Sequence, residues 1–376
     1  MATSTQLLRE QQPVPLKLGV EQKIEGLYQP VPLDAGHIDG WKEVPIQENG
    51  ELLVPIGLGS SYNFLYTSSI YFGERTDSPY IGRGFEGSLV TIFVRESVAN
   101  QLVEAEKLLP KRHHLILFDA YRSLQVQDSL FTSYIKALSK LHPDWSKEQL
   151  LIETQKYVSL PSTENTKPSP HNTGASVDLA IFVLSEADDT HLSELLSQLS
   201  TTSGWEQLMI QVLATDLIAH SANLLDFGTQ YDYGGAAAAL VYYELLNRQR
   251  SLSPTEKEAL LNRRLLFNVM LQVGLEAYKD EWWHYNARKS QMGAKTAGLP
   301  HAEYGAARLS SENIGHERKR RKFLRRVATI QNGFEVTRNI SQHLTQALLA
   351  FKNTAQATKN IRETSISNAA EIHPTA

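Results

Sequence analysis

Ser-Pro-His-Asn-Thr-Gly-Ala-Ser-Val-Asp, residues 169–178, is the stretch around which the rest of this sequence can be organised. It places His171 and Asp178 seven positions apart with a glycine between them, and an apolar run from Leu179 to Leu184 follows directly. Much further along the chain, residues 281–284 read Glu-Trp-Trp-His. Two imidazoles and a carboxylate, with a second carboxylate in reserve, are the side chains that hold a catalytic zinc ion and leave one position open for water.

The second carboxylate is predicted to act as a base. Zinc lowers the pKa of a bound water from 15.7 to about 7, and a carboxylate outside the ligand set must then accept the proton. Glu281 suits this role because it lies three residues before His284. One helical turn would put both side chains on one face, whereas a regular strand would put them on opposite faces. The neighbouring tryptophans favour a strand, and the local conformation stays open at this point.

A third stretch lies upstream, where the apolar residues 115–118 are followed by Asp119, Tyr121 and Arg122. An apolar run with this ending predicts a buried strand that delivers an arginine at its end. A guanidinium carries five donors in a rigid fork, which suits it to stabilising the oxyanion that forms on a carbonyl under attack.

Together, these stretches resemble the D-alanyl-D-alanine dipeptidases, a branch of the zinc D-peptidases. Ten residues match the three family motifs: Ser169, His171, Gly174, Asp178, Glu281, Trp283, His284, Asp119, Tyr121 and Arg122. The sequence departs from the family pattern at Ser123, where the family has proline, and at Ser176, where it has alanine. It also carries some forty additional residues at about 185–224, which is expected to affect the mouth of the pocket more than the chemistry.

The resemblance implies one Zn²⁺ per chain, held by His171, Asp178 and His284, with Glu281 as the base and Arg122 beside the oxyanion. The substrate contacts that it implies are Ser169, Asp232 and Tyr66, with Asp232 pairing with the ammonium group of a free dipeptide. The implied activity is hydrolysis of D-alanyl-D-alanine or related D-amino-acid dipeptides, in cell-wall peptide turnover or glycopeptide resistance. A D,D-carboxypeptidase or another muropeptide hydrolase on the same scaffold is one alternative, and a non-catalytic zinc-holding binding protein is another.

Composition limits the other classes of function. The chain has 376 residues, 41% of them hydrophobic, which is enough for a sizeable core. A net charge of −4 predicts no general affinity for nucleic acid. The absence of cysteine excludes disulfides, thiol catalysis and Cys-bound zinc, and it fits cytoplasm or periplasm alike. No apolar run is long enough for a transmembrane segment, and the N-terminus lacks the apolar centre of a signal peptide, so the cytoplasm is expected.

Alternating helices and short strands predict an α+β fold, with a small central antiparallel sheet flanked by helices. We expect a flexible N-terminal arm at 1–22, a catalytic domain at 23–300 and a helical extension at 301–376. Helices are predicted at 96–109, 125–141 and 146–157, and another opens with a capping box at Ser253. The insertion at 185–224 is predicted to form helices that pack on the body, with a lid or a contact between two copies as alternatives.

The extension is basic and amphipathic. Residues 318–326 include seven basic residues in nine, and apolar residues at helical spacing continue to Phe351, with a break near Asn332 and Gly333. The pattern predicts a helix packed on the body, its basic run solvated, and a disordered tail after Thr354. A coiled-coil partner helix and a patch for anionic surfaces are alternatives. The inserted and C-terminal helices are the candidate surfaces for a homo-oligomer.

Overall fold

The computed structural model describes residues 26–72, 85–155 and 158–325, apart from residues 163 and 165. The chain divides into two compact units, Met1–Arg320 and Arg321–Ala376. All the strands among the described residues and the candidate site lie in the first unit, and only residues 321–325 of the second are described, as helix. The arm predicted at 1–22, and the amphipathic helix and tail predicted after residue 325, lie outside the described residues and stay predictions.

A mixed sheet forms the centre of the first unit. Its strands follow the order β2 (Tyr66–Thr67), β4 (His113–Asp119), β5 (Ser176–Val183), β8 (Glu281–Ala287) and β7 (Leu275–Tyr278). β2 runs parallel to β4, while the other neighbours are antiparallel. The short strand β6 (Asn223–Leu224) pairs with β5, and β1 (Leu53–Ile56) and β3 (Ile92–Arg95) form a separate antiparallel pair.

Helices flank these sheets. They are α1 (Glu96–Leu108), α2 (Leu124–Leu141), α3 (Lys147–Gln155), α4 (Glu186–Leu199), α5 (Gly204–Ser221), α6 (Tyr242–Gln249), α7 (Pro254–Gln272), α8 (Gln291–Thr296) and a helical stretch at 311–325. The predicted α+β class is confirmed. Among the described residues, no helix is long and apolar enough to pass through a lipid bilayer.

Local sequence signals account for where several helices begin. Ser253 caps α7 by accepting a hydrogen bond from the backbone of Glu256, whose side chain in turn accepts from the backbone of Ser253. Ser123, found where the related family has proline, caps α2 through the backbone N–H of Val126. Serine in place of proline therefore still allows the helix to begin here, because serine is among the preferred capping residues.

The inserted segment belongs to the core. Helices α4 and α5 pack on each other, and their buried apolar side chains join the main hydrophobic cluster: Leu192, Leu195, Leu199, Ile210 and Ala214. Burial of one leucine side chain stabilises the folded state by about 1.5–3 kcal/mol, so the insertion contributes to the stability of the first unit. The lid and the contact between two copies, given above as alternatives for the insertion, stay predictions.

Strand pairing brings the three sequence motifs together. In the register of the sheet, Asp178 of β5 lies opposite Asp119 of β4 on one side and opposite His284 of β8 on the other. β5 is buried along nearly its whole length, as expected for a central strand with apolar residues on both faces. Residues more than 100 positions apart in sequence therefore become neighbours through backbone pairing alone.

Candidate metal centre

Three predicted ligands converge on one point. His171 Nε2 lies 3.2 Å from His284 Nδ1 and 3.5 Å from Asp178 Oδ1, and Asp178 Oδ1 lies 3.0 Å from His284 Nδ1. Tetrahedral zinc with ligands at about 2.0–2.1 Å requires ligand atoms roughly 3.3 Å apart, close to all three separations. All three side chains are buried. The set could hold one metal ion, and its chemistry fits zinc.

His171 is delivered by a short turn. A 3-10 turn at Pro170–Thr173 ends at Gly174, whose φ of 69° lies in the left-handed region that favours glycine. A side chain at this position would also overlap Leu53 of β1. The turn is tied to the end of β4 in both directions, since the Arg122 backbone donates to the His171 carbonyl and the Asn172 amide donates to the Arg122 carbonyl.

Each histidine has one ring nitrogen engaged by a neutral acceptor. His171 Nδ1 lies 2.9 Å from the carbonyl oxygen of Ala120, and His284 Nε2 lies 3.0 Å from Asn286 Oδ1. A nitrogen facing these acceptors carries the proton, which leaves the other nitrogen with a lone pair for a metal. The serine that replaces the family alanine takes part here, because Ser176 Oγ donates to the same Asn286 oxygen at 2.7 Å.

The ionisation of the cluster follows from burial and from its neighbours. Burial lowers the pKa of His171 to about 3, so this imidazole is neutral at physiological pH. Burial alone would raise the pKa of Asp178, but the adjacent imidazoles and Arg122 hold it lowered, at about 2. Burial lowers the pKa of His284, and its hydrogen bond to Asp178 more than offsets that effect. The site therefore presents one ionised carboxylate beside two imidazoles.

Glu281 is the first residue of β8, which settles the conformation that the sequence left open. Regular pairing with β7 would place Tyr278 opposite His284, but the register shifts and Tyr278 pairs with Glu281. The irregularity brings Glu281 Oε2 to 3.6 Å from His284 Nδ1, although a flat strand would separate the two side chains. Burial, with help from nearby carboxylates, raises the pKa of Glu281 to about 8.

Arg122 lies beside the cluster and is held by several acceptors. Its Nε and Nη2 donate to Asp119 Oδ2, at 2.9 and 2.6 Å. Nη2 also donates to the hydroxyl of Tyr71, and Nη1 donates to Gln127. Its guanidinium also lies over the ring of Tyr71 and approaches Asp178 Oδ2 at 4.0 Å. The buried arginine is thus fixed at the edge of the site by an ion pair and neutral acceptors.

The site opens into a cavity of about 110 Å³ lined by Arg122, Ser169, Asp232, Glu281 and the metal-binding side chains. Ser169 is 3% exposed, and its hydroxyl has no hydrogen-bond partner among the residues that the structure describes. Asp232 is exposed and adopts a φ of 62°, a conformation that aspartate tolerates better than most residues. Both predicted substrate contacts therefore border the cavity.

Tyr66 does not line this cavity. It is buried on β2 between His114 and Phe182, with ring centroids at 5.5 and 5.3 Å, and it borders a separate cavity instead. The residue of the same segment that reaches the site is Tyr71. Strand alternation and the 3-10 turn at Ile70–Phe72 decide which tyrosine faces the site, and neither is apparent from the sequence pattern.

The segment that carries Asp232 is held by helix α7. Arg263 is 2% exposed, and its guanidinium donates to the carbonyl oxygens of Phe227, Ala237 and Ala239 at 2.9, 2.6 and 2.6 Å. Asn262 donates to the carbonyl of Asp226 at 2.7 Å. These contacts hold the main chain on both sides of Asp232 through two neighbouring side chains of α7.

Sequence reasoning missed two side chains that support the ligands. Tyr231 Oη donates to Asp178 Oδ2 at 2.9 Å, and Asn286 accepts from His284 as described above. A signal existed for both. Tyr231 immediately precedes the predicted substrate contact Asp232, and Asn286 lies two residues after a predicted ligand, on the same face of the strand.

Comparison with known proteins agrees with the motifs. The chain is 22% identical over 260 residues to a D-alanyl-D-alanine dipeptidase of Synechocystis sp., and the match spans 65% of this chain and 84% of that protein. A crystal structure of a variant of the vancomycin-resistance D,D-pentapeptidase VanY, in complex with Zn(II), matches 69% of this chain and 96% of that chain, with 11% identity and a TM-score of 0.24. No protein-family model matches the sequence. The sequence match to the dipeptidase confirms the resemblance carried by the motifs.

Proposed function

We propose that this chain is a zinc peptidase that hydrolyses D-alanyl-D-alanine or related free D-amino-acid dipeptides. The observation that carries the proposal is the convergence of His171 Nε2, Asp178 Oδ1 and His284 Nδ1 within 3.5 Å of one another, with Glu281 and Arg122 at the same cavity. The name of the cyanobacterial relative supports the choice of substrate class. Metal storage alone would need neither the glutamate nor the arginine.

His171, Asp178 and His284 would hold zinc, and the bound ion would supply Lewis acidity towards water and a peptide carbonyl. Glu281 is the base in this proposal. Its carboxylate is 26% exposed, so it can meet water in the cavity while it remains close to His284. It accepts a proton from the attacking water and then gives it to the leaving amine. A cation bound by His284 would lower the pKa of Glu281 and so favour the carboxylate that begins the cycle.

Arg122 is proposed to stabilise the negative charge that develops on the substrate oxygen. Its guanidinium is held by Asp119, Gln127 and Tyr71 before any substrate binds, so little reorganisation is required. One oxyanion donor of this kind contributes about 2.7–4 kcal/mol to the transition state in other hydrolases. The close pair with Asp119 also holds this arginine in place.

Ser169 and Asp232 are proposed to bind the substrate. A buried hydroxyl without a partner costs about 1–3 kcal/mol, and a polar group of the substrate would provide the missing hydrogen bond at Ser169. Asp232 offers a carboxylate to the ammonium group of a free dipeptide at the mouth of the cavity. Recognition of the ammonium would make the enzyme select dipeptides over longer chains.

The decisive test measures zinc content and hydrolysis of D-alanyl-D-alanine by the purified protein. We expect one zinc per chain and turnover, with Glu281→Ala retaining zinc and losing nearly all activity, because the base lies outside the ligand set. Glu258→Ala, on the exposed surface of α7, is the matched control and should behave as wild type. A protein that carries another metal, or that shows no turnover when loaded with zinc, would contradict the proposal.

A D,D-carboxypeptidase is the second candidate, because larger spaces adjoin the site. A cavity of about 750 Å³ shares Asp232 with the site cavity, and another of about 420 Å³ shares Glu281. Both offer room for a longer peptide. Hydrolysis of N-acetyl-D-alanyl-D-alanine separates the two candidates. The dipeptidase proposal expects a large preference for the free dipeptide, whereas equal rates would remove Asp232 from its role and favour the carboxypeptidase.

A further inference from the structure

The hydroxyl of Tyr231 contacts the oxygen of Asp178 that the metal cluster does not use. Asp178 Oδ1 faces the two histidine nitrogens, at 3.0 and 3.5 Å, while Oδ2 accepts a hydrogen bond from Tyr231 Oη at 2.9 Å. The two oxygens of one carboxylate therefore have different partners. A free carboxylate can bind a cation through one oxygen or through both, and the second mode would occupy an additional position on the ion.

Tyr231 is held in place from several directions. Its ring packs against Phe118 at 4.9 Å and against Trp283 at 5.3 Å, between centroids. The segment before it is fixed by the hydrogen bond from Trp282 Nε1 to Thr229 Oγ1 at 2.8 Å. A rigid donor of this kind controls the orientation of a ligand better than a side chain on a mobile loop.

We propose that Tyr231 is a positioning residue that keeps Asp178 a one-oxygen ligand and so preserves an open position on the metal for water. The inference rests on the proposed zinc site. By occupying Oδ2, the hydroxyl prevents that oxygen from turning towards the ion, and the hydrogen bond withdraws negative charge that would otherwise weaken the ion as a Lewis acid. Tyr231 acts through Asp178 and does not contact the reacting atoms in this proposal.

The test is Tyr231→Phe, which removes the hydroxyl and keeps the ring that packs on Phe118 and Trp283. Cobalt(II) replaces zinc as a spectroscopic probe, because its visible bands are strong with four ligands and weak with five. We expect weaker cobalt bands in the variant and a KM close to the wild-type value. We expect kcat to fall by about 10–100-fold, which is the typical cost of losing a residue that orients a metal ligand. Circular dichroism and the Tm check that the variant is folded.

Tyr62→Phe is the matched control, since it removes a phenol hydroxyl whose partner, Asn100, lies away from the site. It should leave the cobalt spectrum and kcat unchanged. A folded Tyr231→Phe protein with the wild-type cobalt spectrum would overturn the proposal, whatever its activity. If the wild type fails to hydrolyse D-alanyl-D-alanine, the proposed function fails, but the cobalt comparison still decides the role of Tyr231.

Discussion

Two clusters in this molecule combine histidine with carboxylate side chains, but they differ in the groups that contact the histidine ring nitrogens. At the metal centre, His171 and His284 each give one ring nitrogen to a neutral acceptor and direct the other towards the cluster. On the far part of β4, His114 has carboxylates at both nitrogens, with Glu106 Oε1 at 2.7 Å from Nδ1 and Asp189 Oδ1 at 2.8 Å from Nε2.

The partner of each ring nitrogen explains the difference. At the candidate metal centre, a carbonyl or amide oxygen accepts the proton of one ring nitrogen of each histidine, which leaves the other nitrogen directed at the cluster. Two carboxylates stabilise the doubly protonated ring, which has no lone pair for a metal. Burial lowers the pKa of His114, but its hydrogen bonds to Glu106 and Asp189 raise it overall. Proximity of histidine and carboxylate therefore does not by itself indicate a metal site.

Substitutions in the two clusters are expected to differ most in their effect on the zinc content of the protein. His284→Ala should abolish stoichiometric zinc binding and lower kcat/KM by on the order of 1,000-fold, since Lewis-acid stabilisation contributes several kcal/mol. His114→Ala should keep one zinc per chain and an activity near the wild-type value. Elemental analysis and dipeptide hydrolysis of both variants provide the comparison. Loss of zinc from His114→Ala would show that the second cluster supports the metal after all.

Removal of the neutral acceptor of His284, Asn286, is expected to have an intermediate effect on zinc binding. Asn286→Ala removes the oxygen that receives the protons of His284 Nε2 and Ser176 Oγ. Zinc affinity should fall by about 10–100-fold, the usual cost of losing such a partner. Competition with a chromophoric chelator measures it. Asp189→Asn is the control from the other cluster, and an equal loss of affinity in both variants would contradict a specific role for Asn286.

The third difference between the clusters concerns stability as a function of pH and leaves zinc binding and activity unchanged. Because the pKa of His114 is raised in the folded protein, its contribution is complete below about pH 6.5, the ordinary histidine value, and is lost as pH rises through the folded pKa. Glu106, whose pKa burial also raises, acts in the same direction. Urea unfolding at pH 6 and pH 9 should show a decline that is greater in wild type than in His114→Gln by roughly 1–3 kcal/mol. Equal declines would mean that His114 stays in one charge state.

The candidate ligand set could be predicted from the sequence because its residues have a characteristic spacing. His171, Asp178 and His284 lie in motifs with several fixed positions, and the apolar run after Asp178 predicts the strand that carries it. The strand that delivers Arg122, the helix α1 and the capped start of α7 also follow from local patterns. These features depend on residues close together in the chain.

The features that the sequence did not predict depend on strand register and on contacts between elements that are far apart in the chain. Glu281 reaches His284 only because β7 and β8 pair out of step, which no local pattern reports. Tyr71 faces the site in place of Tyr66 because the chain turns after β2. The hydrogen bond of Tyr231 to Asp178 joins residues 53 positions apart, and the position of Tyr231 beside Asp232 in sequence indicates proximity to the site but not this partner.

The hydrogen bonds of the buried Arg263 guanidinium have a consequence for engineering this protein. It donates hydrogen bonds to three main-chain carbonyl groups, at 227, 237 and 239, so these bonds do not depend on the side chains between those positions. Side chains at residues 233–236 can therefore be exchanged without loss of these hydrogen bonds, provided that the carbonyl groups at 227, 237 and 239 stay in place. A loop grafted from a relative with different spacing would leave a cation sealed in the core without acceptors, at a cost of about 3–5 kcal/mol.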